Sequence, residues 1–156
     1  MHIVKMDLDI EKVLKSKRIN YRVIKLSEKG ISFEDVIKFS EEKINSNEIC
    51  KTIIVKDKKG NKFAFLLKGD QKMDFKKAKE ILGSKASIVS YEDLKKTTGI
   101  EPGAVCPIGL KFSLFVDKMV FETEKINFGS GDHLFGLEIN SNDLEKMVDF
   151  KMVDVS

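Results

Sequence analysis

Two histidines, two cysteines and two prolines are all that this 156-residue chain contains of those residue types. It has no phosphate-loop signature, no GxGxxG, no paired CxxC and no HExxH, so neither a metal site nor a bound cofactor is expected. Cys50 and Cys106 make no disulfide framework, and a chain this size does not need one, which fits the reducing cytoplasm. No apolar run approaches bilayer-spanning length. Met1 to Asp9 carries acidic residues where a signal peptide needs an apolar stretch, so an unexported protein with no membrane partner is expected. The scarcity of proline and the lack of low-complexity tracts predict order throughout.

What is present is apolar material and lysine. With 42% apolar residues and eleven Phe, the chain can fill one compact core with little to spare, so a single domain over residues 1–156 is expected. The net charge of +3 conceals an asymmetry. Residues 51–85 hold eleven Lys against four acids, and residues 86–156 hold seven Lys against twelve acids. The basic middle has the charge to hold phosphates, as a nucleic-acid partner would require, although a Lys-rich solvated face has the same composition.

Periodicity predicts a helix over Asp7–Lys17 and a strand over Tyr21–Leu26. A second helix is expected to start at Ser32, with Asp35 completing its cap and Phe33, Val36, Ile37 and Ile44 on one stripe; Asn45 to Asn47 end it. Ile49–Val55 and Lys62–Leu67 read as a hairpin at the middle of the sheet, turning over Asp57 to Asn61. A helix over Asp74–Leu82 stops at Gly83, a short strand covers Ser87–Val89, and Ser90 with Asp93 caps a helix that stops at Gly99. The rhythm then breaks over Gly99–Gly109, which holds Gly103 and both prolines. Leu110–Val116, Met119–Glu122, Ile126–Phe128 and Leu134–Ile139 are expected as a meander, closed by a helix over Asn140–Val148. Helices among hairpins rather than regular crossovers point to an α+β fold with a mixed, largely antiparallel sheet.

Candidate chemistry is sparse. His2 lies at the terminus, which leaves His133 as the imidazole to be fixed by the fold; with Cys106 it could form a nucleophile and base pair, although a lone Cys beside Pro is more often a space-filler. Cys50, inside an apolar strand, is expected in the core. In Gly103, Ala104, Val105, Cys106 and Pro107 a glycine permits close backbone approach and a proline fixes the exit, so amides could face a ligand; a tight connection between elements would use the same residues. Lys51, at the head of an apolar strand, is either a snorkelling side chain or an ammonium positioned for an anion.

Three segments occur in a telling order: CysLysThrIleIleVal at 50–55, GlyIleGluProGlyAlaValCysProIleGlyLeu at 99–110, and GlySerGlyAspHisLeuPheGly at 129–136. Together they resemble the YbaK and prolyl-tRNA synthetase-associated editing-domain family. That family pairs a Lys-Thr at the head of a central strand, here Lys51 and Thr52, with a GxxxP loop, here Gly103 to Pro107. A strand carrying Val-Asp follows, here Val116 and Asp117. The resemblance spans about residues 7–150, and Ile126–Glu138 is similar to the editing insertion of bacterial prolyl-tRNA synthetases, with His133 after the Gly-rich bend.

The resemblance implies an α+β fold and hydrolysis of the ester between a wrongly attached amino acid and the 3′ CCA end of transfer RNA, without metal, cofactor or covalent intermediate. It implies that Lys51 holds the terminal nucleotide and that the amides of Gly103 to Pro107 orient the ester beside a water or substrate hydroxyl. His133 would shape the amino-acid pocket, and Cys106 stands where relatives vary. The expected substrates are Ala or Cys on proline transfer RNA, edited in trans, with prolyl-tRNA synthetase as a candidate partner. A non-catalytic module binding the tRNA end or a synthetase, and a Cys106-dependent thiol hydrolase, are the competing readings.

Overall fold

A computed structural model describes residues 8–99 and 103–156, without the side chains of residues 8, 9 and 98. His2, Asp7 and the Ile100 to Pro102 part of the glycine-rich motif therefore lie outside the described residues. Five helices, α1 (Leu8–Ser16), α2 (Phe33–Phe39), α3 (Phe75–Leu82), α4 (Tyr91–Thr98) and α5 (Leu144–Met147), pack on two sheets. The strands are β1 (Tyr21–Lys25), β2 (Cys50–Asp57), β3 (Lys62–Lys68), β4 (Ala86–Ile88), β5 (Ser113–Asp117), β6 (Lys125–Gly129), β7 (Phe135–Asn140) and β8 (Lys151–Val153). One sheet has the order β4-β2-β3-β5-β8, with β2 antiparallel to β3 and β4, and β5 parallel to β3 and β8. The other is antiparallel, β1-β7-β6. They meet where Ile49 bridges Asn127 in parallel sense. The fold is α+β, with pairing that is mixed and mostly antiparallel.

The β2-β3 hairpin lies inside the larger sheet because both its faces are apolar. On β3, Ala64 and Leu66 join the core shared with the three-stranded sheet, α1 and α5, while Phe63, Phe65 and Leu67 face the opposite way, toward α3. Phe65 is fully buried and stacks on Phe115 at 5.0 Å between ring centroids, an anchor whose truncation typically costs about 3–5 kcal/mol. The local signals act as expected at α2, where Ser32 and Asp35 form a capping box, and at the end of α3, where Gly83 takes the left-handed conformation; Asp74, expected as that helix's first residue, is its cap instead.

Several expectations fail for physical reasons. Helix α2 ends at Phe39, and Ile44 is not on it, because the Ser40 hydroxyl engages the Glu42 carbonyl and amide and turns the chain. Residues 118–122 form a 3₁₀ turn rather than a strand: the Asp117 carboxylate accepts from the Met119 amide and caps it. That turn diverts the chain, so the segments after residue 110 form no meander. β5 runs parallel to β3 after the crossover through α3, β4 and α4, and begins at Ser113 rather than Leu110, whereas β6 and β7 belong to the other sheet. The closing helix is interrupted. Ser141 is tied by its amide to the Glu124 carbonyl and by its hydroxyl to the Thr123 carbonyl, leaving a 3₁₀ turn over Ser141–Asp143 and only Leu144–Met147 as α-helix. β8 was not expected. No helix among the described residues is long and apolar enough to cross a membrane.

Candidate active site

The head of β2 and the end of β3 are laced together: the Gly69 amide donates to the Ile49 carbonyl at 2.7 Å, and Lys51 Nζ reaches the Gly69 carbonyl at 3.4 Å. The Phe33 ring at the start of α2 lies against Gly69, where a Cβ would meet it at 2.4 Å. Lys51 is thus neither free in solvent nor neutralised by a contacting carboxylate. Partial burial lowers its pKa from the ordinary 10.5, while the charges of Asp70 and Glu34 oppose the shift and Lys72 adds to it. Beside it, the Thr52 hydroxyl is buried and has no hydrogen-bond partner.

The segment Gly103–Pro107 is clamped by backbone rather than by side chains. Gly103 has φ +87°, and a Cβ on it would lie 2.2 Å from the Ile31 carbonyl oxygen; a Cβ on Gly129 would lie 2.7 Å from the Ala104 carbonyl carbon. The Gly131 amide donates to the Ala104 carbonyl at 2.7 Å. Among the described residues, neither the Ala104 nor the Val105 amide donates a hydrogen bond. Gly129 to Phe135 forms the opposing bend. There Ser130 Oγ engages Asp132 and the Phe135 carbonyl, the Asp132 carboxylate accepts from the Leu134 amide, and the His133 carbonyl accepts from the Gly30 amide.

These pieces enclose one open cavity of about 580 Å³, on which Lys51, Thr52, Phe33, Asp70, Gly103 and Val105 all border. It shares Val36, Ile49, Cys50, Gly103 and Gly129 with a recess of about 40 Å³ that holds His133 and Asn127. Of the residues singled out in the sequence, Lys51, Thr52 and Gly103 border the cavity, and His133 borders the adjoining recess together with Gly103. Cys106 does not join them: it lies in the main apolar core and borders a separate groove with Ile10, Val13 and Met147. Ala104 and Pro107 are buried and line neither the cavity nor the recess. Cys50 does border the cavity, but burial pushes its thiol up to about 12, so it is protonated and no nucleophile at neutral pH. Among the described residues no three His, Cys, Asp or Glu side chains gather to hold a metal ion.

The site also contains what sequence reading passed over. Asn127 interrupts the apolar run Ile126–Phe128, a visible signal, since a strand with both neighbours buried rarely carries an amide at its centre without a use for it. Gly129 and Phe33 gave no comparable signal. The lysine-rich middle is less concentrated than its composition implied: only Lys51 and Lys72 of its lysines border the cavity. Lys58 and Lys59 sit at the far end of the hairpin, roughly 20 Å from Lys51 along the strand.

Comparison with known proteins decides the family. Residues 32–147 match the aminoacyl-tRNA editing domain. The chain belongs to that family. Within the curated proteins, the uncharacterized protein YwhH of Bacillus subtilis (strain 168) is 31% identical over 67 residues, 43% of this chain and 43% of that relative. The alignment thus spans less than half of that relative's length. Among solved structures, the hypothetical protein APE2540 superposes with a TM-score of 0.81 at 24% identity, over 94% of this chain and 97% of that one. A "putative trans-editing enzyme for prolyl tRNA synthetase" superposes with a TM-score of 0.82 at 15% identity, over 99% of each chain. At such identities these two structures establish the editing-domain fold for the chain, and the sequence match establishes its family.

Proposed function

We propose that the protein is a trans-acting aminoacyl-tRNA deacylase that hydrolyses the ester of a small, wrongly attached amino acid. The observation carrying this reading is the cavity with its adjoining recess: a partly desolvated ammonium, an unpartnered hydroxyl and a backbone-clamped loop border the cavity, and the small recess shares Val36, Ile49, Cys50, Gly103 and Gly129 with it. A space of about 580 Å³ suits a terminal nucleotide, and Lys51 supplies the charge for its phosphate. The aminoacyl group then enters the recess beside His133, with its carbonyl at Val105.

In this mechanism water attacks the ester carbon. The oxyanion that develops accepts hydrogen bonds from amides of the Gly103–Pro107 loop, held in place before reaction because Ile31 and Gly129 leave the loop nowhere else to go. The bond from carbon to the ribose oxygen breaks, the water's proton passes to that oxygen, and free amino acid and tRNA leave. An ester has a good leaving group, so positioning and oxyanion stabilisation can supply the acceleration without an enzyme nucleophile. The placement of Cys106 outside the cavity supports this over a thiol hydrolase.

The recess, at about 40 Å³, admits small side chains and excludes larger ones, the sieve that a synthetase cannot build for amino acids smaller than its own. Alanine and cysteine on proline transfer RNA are the first substrates to test, with prolyl-tRNA synthetase as the partner to add. The purified protein is expected to release the amino acid from at least one small aminoacyl-tRNA, and His133→Ala to change the ranking among substrates more than the best rate. Tight tRNA binding with no turnover across the panel would favour a pure binding module instead.

A further inference from the structure

The recess contains one group that apolar packing does not account for. Asn127 is 3% exposed, borders the recess, and has no hydrogen-bond partner on either Oδ1 or Nδ2. Burying both ends of an amide unpaired is disfavoured, and native proteins rarely do so without a use. Its cross-strand neighbour does not relieve it: Glu138, paired with Asn127 in the β6-β7 ladder, accepts from Arg22 on both carboxylate oxygens, at 3.2 and 2.7 Å.

The space beside this amide is made by missing side chains. The next row on the same sheet face is Ile24, Gly136 and Gly129, two of the three without a Cβ. Gly129 is required by the close approach of Ala104, but Gly136 is not. A Cβ there would meet only the Phe128 carbonyl oxygen at 3.7 Å and Ile24 Cβ at 3.8 Å, both ordinary contacts. Glycine at 136 therefore keeps the recess open where the backbone makes no demand for it.

Resting on the deacylase reading above, we propose that Asn127 is a specificity-determining residue that reads a hydroxyl on the substrate's amino-acid side chain, so that the preferred ester is seryl. A hydroxyl donates one hydrogen bond and accepts others, so it pairs with Oδ1 and Nδ2 together, whichever way the amide is turned. A thiol does both weakly and a methyl does neither. A recess of about 40 Å³ has room for roughly two or three water-sized groups, which fits a hydroxymethyl group, puts threonine at the limit, and excludes the proline ring.

The test holds the RNA constant: seryl, cysteinyl and alanyl esters on one transfer RNA, with kcat/KM measured for each. The seryl ester is expected to lead the alanyl by at least about tenfold, with cysteinyl between, because a site built to bond a hydroxyl rejects the analogue lacking it. Asn127→Leu, which keeps the branching of the carboxamide without its polar atoms, is expected to lower the seryl-to-alanyl ratio by about tenfold or more. Gly136→Ala, which the backbone accepts, is expected to lower it as well by filling the recess, and serves if Asn127→Leu does not fold. An unchanged ratio in a folded variant, equal losses on all esters, or no seryl preference in the native protein would each overturn the proposal while leaving deacylation standing. No turnover of any ester would instead overturn the deacylase reading, and this inference with it.

Discussion

Asp117 and Asn127 are both buried polar side chains on strands, ten residues apart, and the protein treats them oppositely. Asp117, fully buried, accepts four hydrogen bonds: from the Val155 and Ser156 amides at 2.9 and 3.2 Å, the Ser156 hydroxyl at 3.0 Å and the Met119 amide at 3.3 Å. Asn127 accepts and donates none. The first arrangement is architecture: it fixes the turn after β5 and lays residues 155 and 156 against the sheet. The second holds donors and acceptors in reserve beside a cavity. Among buried polar groups, then, satisfaction marks the residue that serves the fold, and its absence next to open space marks the one that serves a ligand.

The largest effect belongs on the architectural side. Asp117→Ala strips partners from three backbone amides and a hydroxyl in a buried setting, and should destabilise the protein by about 3–5 kcal/mol. Denaturant titration measures this directly. The comparison sharpens if the folded variant keeps the native ranking of aminoacyl esters, and breaks if the ranking moves.

Lys51→Ala should do the reverse. Its ammonium contacts only one carbonyl, so stability should stay within about 0.5 kcal/mol, while kcat/KM should fall on the order of 100-fold, about 2.7 kcal/mol at the transition state. A denaturation midpoint that drops along with activity would class Lys51 with Asp117. Lys68, directly after Leu67 on β3, shows what a structural lysine looks like here: 5% exposed, with its ammonium on the Asn47 carbonyl and the Thr123 hydroxyl.

A smaller effect follows from the lowered pKa of Lys51. The folded protein gives up that proton more readily than the unfolded chain, whose lysine keeps the ordinary 10.5. Between the lowered value and 10.5 the unfolded state binds more protons, so this residue's contribution makes stability rise with pH across that window. Affinity for a phosphate-bearing substrate should fall over the same window as the charge is lost. Comparing the alkaline limbs of stability and of KM for native protein and Lys51→Met checks both signs; identical slopes would mean that Lys51 titrates as a solvent-exposed lysine.

How much of this was legible in the sequence depends on where each residue's constraint originates. Caps such as Ser32, Gly83 and Ser90 act within a few residues and were readable, as were the apolar and β-branched runs that make β2 and β3 central. The failures have two origins: local side-chain caps, Ser40 with Glu42 and Asp117 with Met119, override patterns that periodicity alone favours, and the long-range tie of Ser141 to Thr123 breaks the closing helix. At the site, Lys51, Thr52, Gly103 and His133 were legible because their order resembles a family's. Val105 was included in that loop, but only the structure separates it, bordering the cavity, from Cys106, which faces the core. Gly129 was hidden because its reason for being glycine is the Ala104 backbone, 25 residues earlier in the chain.

The smallest effect is the most discriminating. Replacing a satisfied buried amide by leucine normally destabilises, because partners are left unpaired; Asn127 has none to leave. Asn127→Leu removes two desolvated polar atoms and puts methyl groups in their place on the recess face of β6, where the apolar neighbours are Ile24, Val36 and Ile49. Its stability should therefore match the native protein or exceed it by up to about 1 kcal/mol. Thermal or chemical denaturation without ligand reads this sign. A loss above about 1 kcal/mol would mean that the carboxamide is paired in solution, and Asn127 would then belong with Asp117 among the residues that hold the fold together.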